Sequence, residues 1–220
     1  MQIGILGGTG PAGSALGARL ASVGIDVIIG SRSKYRAMET VDKLHEEWPG
    51  LDLPIEAGDN AAAAAADVVV IATPWDGAYG TATSVAGELN GKVVICMANA
   101  LTRIGKEFQP LVPPRGSVAA SVQAAVPGCL VAAAFHHVPA KELGDLGHPI
   151  ESDVLVCSDF PRATEVTSEI VAKVPNLRPL DAGGLSQATP IESFTAVLLQ
   201  LNVHYKTRVA VKFTGIPEGD

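Results

Sequence analysis

The chain opens with MQIGILGGTGPAGSALGARL (residues 1–20), in which a short apolar run passes directly into a cluster of glycines. The cluster fits the pattern G-x-G-x-x-G and consists of Gly8, Thr9, Gly10, Pro11, Ala12 and Gly13. Between a strand and a helix, the first glycine makes the tight turn, the second lets a pyrophosphate approach the backbone, and the third lets the helix close on the strand. The helix N-terminus offers N–H groups to phosphates. The stretch therefore predicts a dinucleotide site, and a tight turn without a ligand is the alternative.

From this stretch onward, strand and helix patterns alternate five times with short connections. The runs DVIIGSR (26–32), DVVVIATPW (67–75) and KVVICM (92–97) are typical of buried strands, and KYRAMETVDKLHEEW (34–48) is typical of an amphipathic helix. Such alternation indicates right-handed βαβ units. We therefore predict an α/β fold: a Rossmann-type doubly wound parallel sheet with a smaller C-terminal α/β domain.

The pattern loosens after Met97. The segment ANALTRIGKEFQPLVPPRG (98–116) is rich in proline and predicts a loop, whereas DVLVCSD (153–159) and LRPLDAG (177–183) predict further strands. We expect the dinucleotide-binding domain to span residues 1–124 and the small C-terminal domain to span residues 125–220.

The end of the second strand indicates which dinucleotide is bound. An NAD site usually carries an Asp or Glu there, which holds the ribose 2′-hydroxyl. This chain instead has Ser31, Arg32, Lys34 and Arg36, with no acidic residue before Glu39. Guanidinium and hydroxyl groups bind a 2′-phosphate through charge-assisted hydrogen bonds, whereas a carboxylate would repel it. The sequence therefore favours NADP(H), and a solvated basic helix start is the alternative.

The fourth strand runs into ATPWD (72–76). Because strand ends in doubly wound sheets line the ligand crevice, we expect Thr73, Pro74 and Trp75 to form the wall beside the nicotinamide. Ordinary loop packing is the alternative explanation of these three residues.

Composition argues against several other classes of protein. Hydrophobic residues make up 47% of the chain and charged residues 18%, as in compact globular proteins, and a net charge of −7 argues against a nucleic-acid partner. Cys96, Cys129 and Cys157 lie in separate strand-like runs, so we expect reduced core thiols and no metal site. No apolar run reaches the ~20 residues of a membrane span. The first strand follows Met1 without room for a signal peptide, so we expect a cytoplasmic protein with no membrane partner.

Several motifs taken together resemble the NADP-dependent reductases of the deazaflavin coenzyme F420, the F420:NADP oxidoreductases. These motifs are GGTGPAG (7–13), GSRSKYR (30–36), ATPWD (72–76), FHHVPA (135–140) and LRPLDAGGLSQATPIESFT (177–195). The first three also occur in many other dinucleotide enzymes, and the last two are more specific. The resemblance covers nearly the whole chain. It implies NADP(H) and coenzyme F420 as substrates, a deazaflavin bound in the cleft between two domains, and hydride transfer between nicotinamide C4 and deazaflavin C5.

The adjacent histidines His136 and His137 lie where a strand opens into a loop, whereas the family pattern has one histidine before a small polar residue and IPA. By resemblance, Val138 and Pro139 contact the cofactor. One of the two histidines is the candidate to hydrogen-bond the deazaflavin and stabilise its charge as it is reduced. A surface or core-edge histidine pair is the alternative. The candidates to hold the acidic tail of F420 are Lys141, Arg178, Lys206, Arg208 and Lys212.

Two other functions remain open at this point. An NADP-dependent imine or hydroxyacid dehydrogenase of similar fold would need a lysine or polar helix motif facing its substrate, for which VHYKTR (203–208) is the candidate. A non-catalytic NADP-sensing module would bind the coenzyme without turnover. The final stretch IESFTAVLLQLNVHY (191–205) is apolar nearly all round, which predicts a helix that forms a homodimer. Burial of this helix within one chain is the alternative.

Overall fold

The computed structural model describes residues 1–217, which form one eight-stranded sheet with helices on both faces and a separate two-stranded hairpin. The strands are β1 (Gln2–Leu6), β2 (Asp26–Ser31), β3 (Ile55–Asp59), β4 (Val68–Ile71), β5 (Val93–Cys96), β6 (Leu101–Ile104), β7 (Glu107–Pro110), β8 (Leu130–Ala133), β9 (Ser152–Ser158) and β10 (Leu177–Asp181). The helices are α1 (Pro11–Ala21), α2 (Lys34–Glu47), α3 (Asn60–Ala64), α4 (Trp75–Ser84), α5 (Ala86–Leu89), α6 (Val118–Ala125), α7 (Ala140–Gly144), α8 (Pro161–Lys173) and α9 (Ala188–Tyr205).

The strand order in the large sheet is β10-β9-β8-β5-β4-β1-β2-β3, which confirms the predicted Rossmann-type α/β fold. All neighbouring strands are parallel except β8 and β9, which are antiparallel. The sheet is therefore mostly parallel, with one antiparallel pair. Because β9 and β10 run opposite to the other six strands, their first residues lie at the edge where those six strands end. That edge is where ligands bind in open α/β sheets.

The sheet is covered on both faces, and this explains the uninterrupted apolar runs of its central strands. Leu16 and Leu20 of α1 and Ile170 of α8 are fully buried in the core of one face. Leu89 of α5 and Val122 of α6 are fully buried in the core of the other face. Every residue of β4 is buried, as a strand between two helical layers requires.

The structure corrects two predictions about local elements. Residues 98–116 do not form only a loop, because β6 and β7 pair as an antiparallel hairpin around Gly105, whose φ is +63°. The hairpin packs against α9, and the Phe108 N–H donates to Gln200 Oε1 at 3.4 Å, a tertiary contact that local sequence does not reveal. The fourth strand also ends early: β4 stops at Ile71, and Trp75 is the first residue of α4.

The predicted domain boundary falls at the end of α6, and the sheet continues across it because β8 pairs with β5. The division into residues 1–124 and 125–220 stays a prediction, and its last three residues lie outside the described part of the chain. All three cysteines are buried and free, which confirms the predicted core thiols. Burial raises the pKa of Cys96 and Cys157 to about 12 and that of Cys129 to about 11. Within residues 1–217, no helix has the length and apolar character needed to cross a membrane.

Candidate functional site

The glycine-rich loop between β1 and α1 is shaped by close backbone contacts. Gly7 has a φ of +75°, and a Cβ added to Gly13 would lie 2.9 Å from Gly7 O and from the Cα of Gly8. Gly10 differs, because a Cβ there would meet only Gly7 O, at 3.5 Å. The fold therefore needs glycine at positions 7 and 13 and leaves open space at position 10. This is the space that a pyrophosphate close to the backbone would occupy.

The N-terminus of α1 is free to bind an anion. Pro11 stands in the first turn of α1, no side chain caps the helix, and the first turn holds no acidic residue. The leading N–H groups and the helix dipole therefore point at the glycine loop without a competing carboxylate.

A cleft of about 1300 Å³ crosses the carboxyl edge of the sheet beside this loop; we call it the coenzyme cleft. The predicted residues that line the coenzyme cleft are Thr9, Gly10, Ser31, Arg32, Arg36, Thr73 and Pro74. Gly8, Ala12 and Gly13 lie outside its lining and shape the loop and the start of α1. Lys34 and Trp75 are the exposed first residues of α2 and α4, and neither lines the coenzyme cleft. Seven of the predicted residues thus line this cleft, and the part that each predicted residue plays in coenzyme binding stays a prediction.

The end of β2 presents positive charge that the described residues do not neutralise. Arg32 and Arg36 are exposed, and neither makes an ion pair with another residue of the described range 1–217. Ser31 is buried, and its Oγ accepts from the Ser33 N–H at 3.2 Å. Ser33 in turn caps α2 through its side chain. A rigid turn therefore holds two guanidinium groups at the cleft, which suits a dianionic phosphate.

The structure adds lining residues that the motifs missed. On α2 these are Glu39, Thr40 and Lys43, on α4 they are Gly77, Gly80, Thr81 and Ser84, and after β3 there is Asn60; Asp76, the last residue of ATPWD, lines the cleft as well. Helical spacing could have found the α2 set, because residues 36, 40 and 43 follow the i, i+4, i+7 pattern of one helix face. Thr73 Oγ1 and Asn60 Oδ1 are buried and make no hydrogen bond to any described residue. The wall therefore holds polar atoms that a polar ligand would satisfy, so the residues present fit NADP(H).

The two histidines follow β8 and are both buried, with exposures of 4% for His136 and 3% for His137. Neither ring nitrogen of His136 makes a hydrogen bond of ordinary geometry with a described residue. Burial and, to a smaller extent, proximity to His137 lower the pKa of His136 to about 3, although the backbone of Ala98 and Met97 acts in the opposite sense. His137 donates from Nε2 to the Asp153 carbonyl at 2.8 Å, and burial lowers its pKa as well. Both rings are therefore neutral near pH 7.

The backbone at His136 is held by side chains from two other elements. Its carbonyl accepts from Asn99 Nδ2 at 2.8 Å, and Thr195 Oγ1 lies 3.2 Å from both this carbonyl and Asn99 Oδ1. Phe135, just before it, is buried with a φ of +63°, which is uncommon for a residue other than glycine. The loop after β8 is thus fixed by the segment that follows β5 and by α9.

Asp153 ties the C-terminal segment to this loop. Its buried carboxylate accepts two hydrogen bonds from Arg178, at 2.8 and 2.7 Å, and one from the Phe213 N–H at 2.6 Å. The Asp153 N–H donates to the Val211 carbonyl at 2.7 Å, and its own carbonyl accepts from His137. Residues 211–213 therefore pack at the sheet edge that carries residues 136–139, which we call the histidine loop.

Three of the five cations predicted to hold the F420 tail already face carboxylates. Arg178 pairs with Asp153, Arg208 with Glu142, and Lys212 with Glu151. Each pair neutralises the cation and so weakens the case for that residue as a tail ligand. The partners in these three ion pairs are 25 to 66 positions apart in the chain. No local sequence pattern could therefore predict the pairs.

A glycine loop at a helix N-terminus, two arginines after β2 without an ion pair among residues 1–217, and a cleft across the carboxyl edge of the sheet define a dinucleotide-binding protein of the Rossmann type. Comparison with known proteins makes this class more specific. Residues 2–100 match the family model described as NADP oxidoreductase, coenzyme F420-dependent. Over 213 residues, 94% of this chain and 95% of its relative, the sequence is 37% identical to the F420-dependent NADP reductase of Methanocaldococcus jannaschii. The chain belongs to the F420-dependent NADP oxidoreductase family.

Other similar proteins agree with this assignment. The chain is 34% identical to the F420-dependent NADP reductase of Methanothermobacter marburgensis, over 99% of its own length and all of the relative's. A crystal structure from Arthrobacter sp. FB24 superimposes with a TM-score of 0.82 at 22% identity, covering 97% of this chain and all of that one. The likeness to that structure concerns the fold.

Proposed function

We propose that the protein transfers a hydride between NADP(H) and coenzyme F420. The observation that carries the proposal is the coenzyme cleft, in which the glycine loop and two unpaired arginines line one continuous space. The names of the relatives point to the same pair of substrates. The imine or hydroxyacid dehydrogenase and the NADP-sensing module are not favoured by these relatives.

Within this proposal, each part of the cleft has one task. The loop around Gly10 and the free N-terminus of α1 hold the pyrophosphate, while Ser31, Arg32 and Arg36 hold the 2′-phosphate. Thr73 and Pro74 form the wall at the end of β4, where Thr73 Oγ1 has no protein partner among residues 1–217. Bound NADPH supplies the hydride from nicotinamide C4, and the deazaflavin takes it at C5. The protein's contribution is to hold the two rings in contact and aligned.

The histidine loop is the proposed deazaflavin side of the site. His136, His137, Val138 and Pro139 belong to the loop that follows β8 at the same edge of the sheet. Since His136 has a pKa of about 3, its imidazole acts as a neutral hydrogen-bonding group and not as a cation. In this proposal, Lys141 and Lys206 remain the candidates for the acidic tail. The second segment, residues 125–220, supplies this loop and acts as the smaller functional unit.

A single mixing experiment tests the proposed activity. Reduced F420 is added to the protein with NADP, and the absorbance of oxidised deazaflavin is followed. We expect that absorbance to return at a rate proportional to protein concentration. A protein that binds NADPH in calorimetry but leaves reduced F420 unchanged would be a sensor, or would use another acceptor.

We also propose that α9 forms a homodimer. Val197, Leu201 and Tyr205 are spaced by four residues along one stripe of α9 and are 51%, 36% and 66% exposed. A second copy of α9 would cover this apolar stripe across a two-fold axis. Light scattering should then give twice the 22.6 kDa chain mass. Leu201→Glu should lower that mass, and a monomeric unmodified protein would rule out the dimer. The free, buried cysteines suit the reducing cytoplasm, which is the proposed location.

A further inference from the structure

Asn60 is a polar side chain in the wall of the coenzyme cleft for which the fold provides no partner. It is the first residue of α3 and is partly buried, and its Oδ1 is buried without a hydrogen bond to any residue in the range 1–217. The neighbouring Asp59 caps α3, since its Oδ1 accepts from the Ala62 N–H at 2.8 Å. A buried polar group without a partner costs about 1–3 kcal/mol. Stability of the fold therefore does not explain the carboxamide at this position.

The sheet register places Asn60 beside the predicted 2′-phosphate residues. Asp59 pairs with Ser31 across β3 and β2, so Asn60 follows at the level of Arg32. A Cβ added to Gly30 would lie 3.3 Å from Asn60 Oδ1, so the carboxamide packs over the end of β2. In NADP(H) the ribose carbon that bears the phosphate is bonded to the carbon that bears the base. The phosphate and the base of NADP(H) are therefore close together. A ligand whose 2′-phosphate contacts Ser31 and Arg32 must place its base near Asn60.

The chemistry of a carboxamide matches that of adenine. The planar carboxamide of asparagine carries one hydrogen-bond acceptor and one donor group. It pairs with adenine through the exocyclic amine and a ring nitrogen of the base. The α4 wall of the cleft leaves room for a flat ring, because a Cβ on Gly77 or on Gly80 would meet no atom within 4 Å. We propose that Asn60 recognises the adenine base of NADP(H), accepting from its exocyclic amine and donating to a ring nitrogen. This inference rests on the proposed position of NADP(H) in the coenzyme cleft.

The test measures binding in the absence of F420. Calorimetry compares NADPH, NADH and the hypoxanthine analogue of NADPH, in which a carbonyl oxygen replaces the exocyclic amine. The unmodified protein should prefer NADPH over the analogue by about three- to tenfold, the value of one hydrogen bond. Asn60→Ala should remove this base preference and keep the preference for NADPH over NADH. Arg32→Ala is the matched control, which should lose the phosphate preference and keep the base preference.

Each result is a ratio of affinities within one variant, so partial unfolding lowers the number of sites without changing the ratio. The inference is overturned if Asn60→Ala keeps the base preference, or if the unmodified protein has none. It is also overturned if Asn60→Ala loses the phosphate preference instead, because the side chain would then contact the phosphate. Failure of the unmodified protein to bind NADPH would refute the position of the coenzyme, whereas normal binding with an unaltered base ratio would refute only the role of Asn60.

Discussion

The coenzyme cleft and the histidine loop lie at the same edge of one sheet, yet they treat charge in opposite ways. At the cleft, Arg32 and Arg36 are exposed and form no ion pair within the described range. Beside the histidine loop, Arg178 is bound by the buried carboxylate of Asp153. The second set of polar groups is bonded within the fold, whereas the first set forms no ion pair within residues 1–217. Substitutions in the two regions should therefore change different quantities.

The largest expected effect is loss of coenzyme binding in Gly10→Val. Gly10 has φ and ψ of −80° and 161°, which valine adopts readily, and its Cβ position is open, so the variant should fold with a Tm close to that of the unmodified protein. Its side chain would fill the place of the pyrophosphate, and calorimetry should detect no NADPH binding. Gly13→Val is the contrasting variant, because its Cβ meets backbone atoms at 2.9 Å and the Tm should fall. Near-normal NADPH affinity in Gly10→Val would show that the loop is only a turn.

On the histidine side, the expected effect is on stability. Arg178→Met leaves the Asp153 carboxylate buried without its guanidinium and should lower the free energy of unfolding by about 3–5 kcal/mol in urea titrations. Lys212→Met is the control: it removes an exposed ion pair with Glu151, so the loss should be much smaller than in Arg178→Met. Equal losses in the two variants would contradict the role given to Asp153.

At acidic pH, the difference in unfolding free energy between the unmodified protein and Arg178→Met should become smaller. The side-chain hydrogen bonds from Arg178 hold the pKa of Asp153 below its usual value, so the stabilisation is present above the unfolded pKa of about 4 and is lost as pH falls through the folded pKa. The gap in unfolding free energy between the unmodified protein and Arg178→Met should therefore narrow below about pH 4. A gap that stays constant from pH 7 to pH 3 would mean that the ion pair is not its source.

Glu192 should give the opposite pH dependence. This buried carboxyl of α9 accepts from the Val118 and Ala119 N–H groups at the start of α6, and burial raises its pKa to about 7. The unfolded chain releases this proton near pH 4.5, so stability should fall by up to about 3 kcal/mol as pH rises from about 4.5 to about 7. Glu192→Gln should flatten that decline in urea titrations at several pH values. An unchanged slope in the variant would assign the proton to another group.

The smallest expected effect is on NADPH affinity, and it should differ between Arg32 and Lys34, two of the residues predicted to bind the 2′-phosphate. Arg32 lines the coenzyme cleft, and Arg32→Ala should weaken NADPH binding by about 1.5–3 kcal/mol with little change for NADH. Lys34 does not line the cleft, so Lys34→Ala should change neither affinity by more than about 0.5 kcal/mol. Equal losses for NADPH and NADH in Arg32→Ala would show that this turn does not recognise the phosphate.

Local patterns pointed to residues that line the coenzyme cleft because strand, turn and helix there are consecutive in the chain. The loop of residues 7–13 and the turn of residues 30–36 each join two consecutive elements. The function proposed for each can therefore be inferred from a short stretch of sequence. The hairpin of β6 and β7 was missed because it is supported by α9, almost a hundred residues later. The lining positions on α4 after Asp76 were missed because only Trp75 and Asp76 of that helix belong to a motif, and Asp76 is its only charged residue.

By itself, the sequence determined the α/β fold, the glycine loop, the preference for a phosphorylated dinucleotide and the membership of a family. Each of these depends on neighbouring residues whose conformational and hydrogen-bonding needs are met locally. Only the tertiary structure decided which cations stay free and which histidines stay neutral. Arg178 meets Asp153 because β9 and β10 are adjacent, and His136 is uncharged because its side chain is buried and lies near His137. Charge and burial are properties of the packed chain, since they depend on residues that only folding brings together.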